Sequence, residues 1–183
     1  MISFDSGHAD AGRFSDRTVN EIMRACLDMA KVKTGALIVV EQNNSLSDVE
    51  RTGIEVDAVV SSQLLINIFE HNTPLHDGAV VIRGNRVTSA TCYLPLSDNL
   101  SLSKELGTRH RAGVGISEVT DSLTVIVSEE TGKVSVAMQG ELYRNVDVAE
   151  LKSKLELLQN KVYEEKRIRF WKGRSKNEKV SDK

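Results

Sequence analysis

The sequence predicts a single α/β domain whose central sheet is mixed, largely antiparallel, and flanked by helices. Three observations predict it. Apolar runs of strand length recur along the chain, and two pairs of them are joined by short turns. Between the runs lie amphipathic stripes of helical period. At 183 residues with 40% apolar content, the chain holds enough material for one sizeable core.

Each element follows in order. Residues 1–17 read as a flexible lead-in, with Ser6-Gly7-His8 and Ala11-Gly12 among them. From Thr18, the residues Val19, Ile22, Met23, Cys26, Leu27 and Ala30 mark one helical face. Gly35 is expected to stop that helix. Ala36–Val40 is apolar throughout, as a strand buried on both faces would be. Residues 42–53 are polar with room for a short helical turn, and Val56–Val60 reads as a second strand. Ser61-Ser62 offers an N-cap to a helix carrying Leu64, Leu65, Ile68 and Phe69.

Past Pro74, Ala79–Arg83 and Arg86–Tyr93 form a hairpin through Gly84-Asn85. Gly107 to Val119 is expected to be helical with Thr108 as its cap. A second hairpin joins Leu123–Val127 to Val134–Met138. The last helix begins near Asp147, with Leu151, Leu155, Leu158 and Val162 on one side. That spacing suits a coiled-coil seam as well as packing on the chain's own domain, and the second is the simpler reading.

Charge and cysteine usage exclude several classes. With 24 basic against 26 acidic residues, nothing draws the whole chain to nucleic acid. The imbalance is local: residues 161–183 form a basic tail with nine Lys/Arg and four Asp/Glu. That tail mixes cations with aromatics, Lys166 to Lys172. It reads either as an arm for nucleic acid or anionic lipid, or as a solvated end, which is the commoner case. Cys26 and Cys92 lack zinc or disulfide spacing and fit a reducing compartment. No run of about 20 apolar residues exists, so a soluble, cytoplasmic chain is expected.

Three segments carry residues that a core does not need. His76-Asp77-Gly78-Ala79 precedes a strand, where an imidazole and a carboxylate can hold a divalent metal and Gly78 can admit a ligand. Taken by itself, a plain Asp-Gly turn is the commoner explanation. Gly107-Thr108-Arg109-His110-Arg111 opens a predicted helix. Cations at the positive end of a helix dipole are unfavourable unless an anion compensates, which favours a phosphate site. Ser128-Glu129-Glu130 occupies a hairpin tip, where acids are usually just hydrated. No Walker-type loop occurs, Gly113-Val114-Gly115 lacks the third glycine of a dinucleotide site, and no nucleophile elbow is present.

Leu75-His76-Asp77-Gly78-Ala79 and Gly107-Thr108-Arg109-His110-Arg111 together resemble the DGA and RHR signatures of diadenylate cyclases. Thr34–Val39, Ser61–Phe69, Cys92–Ser97 and Gly115–Glu118 extend the resemblance across residues 18–160. The subtype it is most similar to is the membrane-anchored housekeeping cyclase, whose catalytic domain follows transmembrane helices. The chain then reads as such a domain detached from its helices, or as a naturally soluble cyclase. When those helices are present the domain sits at the cytoplasmic face of the membrane.

The resemblance implies condensation of two ATP into cyclic di-AMP with release of two pyrophosphates, on a divalent metal (Mg²⁺, Mn²⁺ or Co²⁺). It implies catalytic roles for Asp77, Gly78, Ala79, Arg109, His110 and Arg111, and metal binding by His76, Asp77 and Glu130. ATP would be held by Tyr93, Leu94, Gly107, Thr108, Arg109, His110, Arg111, Ser128 and Glu130. The twofold product implies a homodimer sharing one reaction centre. Implied partners are a membrane-anchored cyclase regulator and a phosphoglucosamine mutase, and no DNA. The alternative is a catalytically silent adenine-nucleotide sensor, against which the intact signature residues argue.

Overall fold

A computed structural model of the chain describes residues 14–103 and 105–159. The order is α1 (Asp16–Lys31), β1 (Ala36–Val40), α2 (Ser47–Glu50), β2 (Ile54–Val59), α3 (Ser62–Phe69), β3 (Ala79–Arg83) and β4 (Arg86–Cys92). Then come α4 (Thr108–Val119), β5 (Leu123–Val127), β6 (Val134–Met138), β7 (Glu141–Tyr143) and a helix α5 over residues 148–159. Val162 and the basic tail lie outside the described residues.

The strands form one seven-stranded sheet in the order β2-β4-β3-β1-β5-β6-β7. Only β1 and β3 run parallel, and the remaining neighbours are antiparallel. This is the mixed, largely antiparallel sheet that the sequence predicts. β1 sits at its centre, and its side chains alternate between two cores. Ala36, Ile38 and Val40 pack with α1, α3 and α5, whereas Leu37 and Val39 pack with α4. A strand buried on both faces shows no polar alternation, which is why β1 reads as one apolar run.

Leu151, Leu155 and Leu158 of α5 are at most 2% exposed against the first of these cores. Each such burial is worth about 1.5–3 kcal/mol, which settles α5 as a helix packed on its own domain.

β2 runs Ile54–Val59 rather than Val56–Val60, β4 ends at Cys92 rather than Tyr93, and three helix boundaries differ from expectation, each for a local reason. α1 begins at Asp16, because Ser15 caps it by accepting the Thr18 N–H at 3.2 Å and Asp16 complements the dipole. The apolar stripe locates the buried face, not the cap. The same helix ends before Gly35: Lys33 already takes a left-handed φ of 58°. Gly107, not Thr108, is the N-cap of α4, and no side chain caps that end.

α4 lies close under the chain that crosses it. A Cβ on Gly115 would sit 2.0 Å from the Pro95 carbonyl oxygen. The Ser97 N–H donates to the Arg111 carbonyl at 3.0 Å, tying that crossing segment to the helix. The Gly113-Val114-Gly115 pair therefore serves close packing.

Candidate functional site

The topology gathers the singled-out segments at one end of the sheet. β1 and β3 are parallel, with Ile38 opposite Val80, so Gly35 and Asp77-Gly78 enter their strands side by side. β4 and β5 are antiparallel to them, with Cys92 opposite Ala79 and Val127 opposite Ala36. Tyr93 and Ser128-Glu129-Glu130 therefore leave their strands at that same end. Arg109, from the first turn of α4, crosses over Gly35 to join them. A Cβ on Gly35 would lie 2.9 Å from the Arg109 guanidinium carbon.

A cavity of about 420 Å³ opens at the N-terminus of α4. Gly107, Thr108, Arg109 and His110 form one wall, and Ser128, Glu129 and Glu130 another. The first-turn amides have no side-chain cap, and the first turn holds no acid. Unpartnered amides at the positive end of a helix make an anion seat. Arg109 is steered by a 2.9 Å ion pair with Glu129.

This geometry yields a prediction for Gly35→Ala. The crowded atom belongs to a flexible side chain, so the fold should tolerate the change, with a loss of about 1 kcal/mol or less. The Arg109 fork must move, so affinity for a phosphate anion should fall about tenfold or more. Thermal melting together with calorimetric titration of inorganic pyrophosphate checks both halves.

His110 is 9% exposed. Burial chiefly, and then the Arg144 guanidinium, hold its imidazole below the ordinary value of 6.5; Arg109 adds to this and Glu130 opposes it. His110 is thus a neutral hydrogen-bonding group at pH 7, not a third cation. Below about pH 6.5 the unfolded chain binds a proton that the folded chain resists, so stability falls as the pH drops through this range. His110→Gln should flatten that dependence, read as a smaller difference in Tm between about pH 5 and pH 7.5.

A second cleft, of about 510 Å³, adjoins the first. Arg109 and Glu129 line both, and His71, His76 and Glu70 line the second alone. His76 Nδ1 lies 2.6 Å from the Thr73 carbonyl oxygen. A carbonyl only accepts, so Nδ1 carries the hydrogen and Nε2 presents a lone pair.

Asp77 stands exposed at the mouth of β3. Its neighbour Gly78 has φ +117°, and a Cβ there would lie 2.7 Å from the Thr91 carbonyl carbon. The Thr91 backbone thus fills the place a side chain at Gly78 would take. Ala79 is fully buried as the first residue of β3.

Tyr93 is 79% exposed, and its N–H donates to Thr52 Oγ1 at 2.9 Å. Leu94 is half-buried against the second core. Neither lines the α4 cavity, and nor does Arg111. Residues two apart on a helix point about 200° away from each other, so Arg109 and Arg111 cannot share a wall. The two cysteines offer no chemistry here: burial pushes the Cys26 thiol up to about 12 and that of Cys92 to about 11.

A family model described as "DisA bacterial checkpoint controller nucleotide-binding" matches residues 23–142. The chain is 36% identical over 141 residues to a protein of Mycoplasma genitalium named "Diadenylate cyclase", covering 76% of this chain and 68% of that protein. The chain belongs to the diadenylate cyclase family. It is also 57% identical over 140 residues to "Cyclic di-AMP synthase CdaA" of Bacillus subtilis, covering 76% of this chain and 51% of that one. The chain thus spans about half the length of that curated relative. The crystal structure of DacA from Staphylococcus aureus, a double mutant, superposes with a TM-score of 0.77 at 47% identity, over 79% of this chain and 96% of that one.

A diadenylate cyclase site must admit phosphate, and the donor set here also fits a divalent cation. Glu130 places a carboxylate in the same cavity as the α4 amides. Two anionic groups in one cavity repel unless a cation lies between them. His76 Nε2 and the exposed Asp77 carboxylate, outside that cavity, are groups that could hold such a cation. Among the described residues, however, no three His, Cys, Asp or Glu side chains converge as a ready-made cluster.

Sequence reasoning missed Glu129 as the partner of Arg109, and Lys133 and Arg144 as lining residues. Arg144 follows β7, whose three residues are too few and too exposed to show a period.

Proposed function

We propose that the chain condenses two ATP into cyclic di-AMP, in a metal-dependent reaction at a centre shared by two subunits meeting face to face. The observation that carries the reading is the uncapped first turn of α4 opening into one cavity with Arg109 and Glu130. Family membership supplies the reaction class. In each of two equivalent steps, a ribose 3′-oxygen attacks the α-phosphorus of the other nucleotide. The bond from that phosphorus to the β-phosphate oxygen breaks, and pyrophosphate leaves with its electron pair.

Asp77 takes the proton of the 3′-hydroxyl. Gly107, Thr108, Arg109 and a neutral His110 hold phosphate oxygens, with Ser128 as a further donor, while Arg111 supports them from outside the cavity wall. Tyr93 stacks on adenine, and the Leu94 backbone contacts its edge. His76, Asp77 and Glu130 would hold Mg²⁺, Mn²⁺ or Co²⁺, whose chemistry when bound is to neutralise phosphate charge and acidify the hydroxyl.

The regulator and mutase partners, and placement at the cytoplasmic face of the membrane, belong to the same proposal on resemblance alone. Among the described residues no helix is long and apolar enough to cross a membrane. The test is to incubate the purified chain with ATP and Mg²⁺ or Mn²⁺ and identify products by mass. Cyclic di-AMP with two pyrophosphates per product is expected. Bound but unconverted ATP would establish the sensor reading instead.

A further inference from the structure

We infer that Lys133 and Arg144 seat the two terminal phosphates of ATP, and so the pyrophosphate as it leaves. The inference rests on the ATP reading above. Both residues line the α4 cavity, and neither lines the adjoining cleft that holds His76. Bond formation belongs beside His76 and Asp77. A triphosphate laid across the α4 turn from there has its far end at Lys133 and Arg144.

Backbone structure holds the two together. Lys133 directly precedes β6, and the Val146 N–H donates to the Val134 carbonyl at 2.9 Å, which pins the segment after β7 beside it. Among the described residues neither side chain forms an ion pair, whereas Arg109 is engaged by Glu129.

Charge balance needs them. The cavity is lined by three cationic side chains, Arg109, Lys133 and Arg144, and by three carboxylates, Glu105, Glu129 and Glu130. Without Lys133 and Arg144, one cation would face three carboxylates, a net −2 that repels a polyphosphate.

The experiment compares Arg144→Gln and Lys133→Ala with the unaltered chain against three probes: ATP, inorganic pyrophosphate and cyclic di-AMP. Each variant should raise KM for ATP and the inhibition constant of pyrophosphate about tenfold, the loss of one charge-assisted contact. Affinity for cyclic di-AMP, which has no terminal phosphates, should stay within about twofold. Arg144→Lys should recover part of the loss. Unchanged pyrophosphate inhibition in both variants overturns the inference, and so does a parallel loss of cyclic di-AMP affinity. Should the unaltered chain make no cyclic product, the cyclase reading fails separately. Calorimetry with pyrophosphate and ATP then still decides whether these two side chains bind the terminal phosphates.

Discussion

Asp77→Asn is expected to reduce cyclic di-AMP formation by about 10³-fold or more, with no change in Tm. The side chain is exposed at the entry to β3, and among the described residues no cation pairs with it. The fold therefore asks for no carboxylate at this position. Asn keeps the shape and loses both the negative charge and the site that accepts the 3′-hydroxyl proton. Because the α4 turn is built from other residues, KM for ATP should move far less than kcat. Near-normal turnover by the folded variant would remove Asp77 from the reaction. Gly78, one residue on, behaves oppositely: its positive φ and its contact with the Thr91 backbone make it a folding requirement. On the proposed mechanism, one tripeptide signature combines a chemical residue with a structural one.

How much could be read from the sequence depended on which physical signal each residue carries. Runs such as Ala36–Val40 and Leu123–Val127 announce themselves because central strands exclude polar residues on both faces. α4 has no such stripe. It is buried almost all round, from Ala112 to Ser117, so its start was read from a cap-type residue, Thr108, and its phosphate role from the clash of two arginines with the helix dipole. The dipole argument counted Arg109 and Arg111 as one cluster, and helical geometry then separated them. The His76 tautomer was not legible, since it depends on a Thr73 carbonyl placed by the loop. Gly35 was read as a helix stop, and its reason lies with Arg109, far along the chain. Long-range contacts of this kind leave no periodic trace.

In a dimer of one active and one Asp77→Asn subunit, the product is expected to be linear rather than cyclic. Cyclic di-AMP contains two equivalent phosphodiester bonds, so each subunit must activate one 3′-hydroxyl while its own nucleotide is attacked at phosphorus. A mixed pair has one working Asp77 and makes one bond. The product is then a dinucleotide that keeps one triphosphate and has lost a single pyrophosphate, and mass spectrometry separates it from the cyclic form. With the variant in about tenfold excess, nearly every active chain sits in a mixed pair, and cyclic product should fall about tenfold per active chain. Dilution makes the same point without mutation. Where pairing is weak, turnover per chain should rise with protein concentration and level off once most chains are paired. In the proposed scheme the nucleotides lie between the two chains, which puts the contact around His76-Asp77 and the start of α4. Much of that contact is nucleotide, so a largely monomeric chain without ATP agrees with the scheme. Cyclic product at a constant rate per active chain, whatever the excess of Asp77→Asn and whatever the dilution, would mean that each chain closes the ring alone.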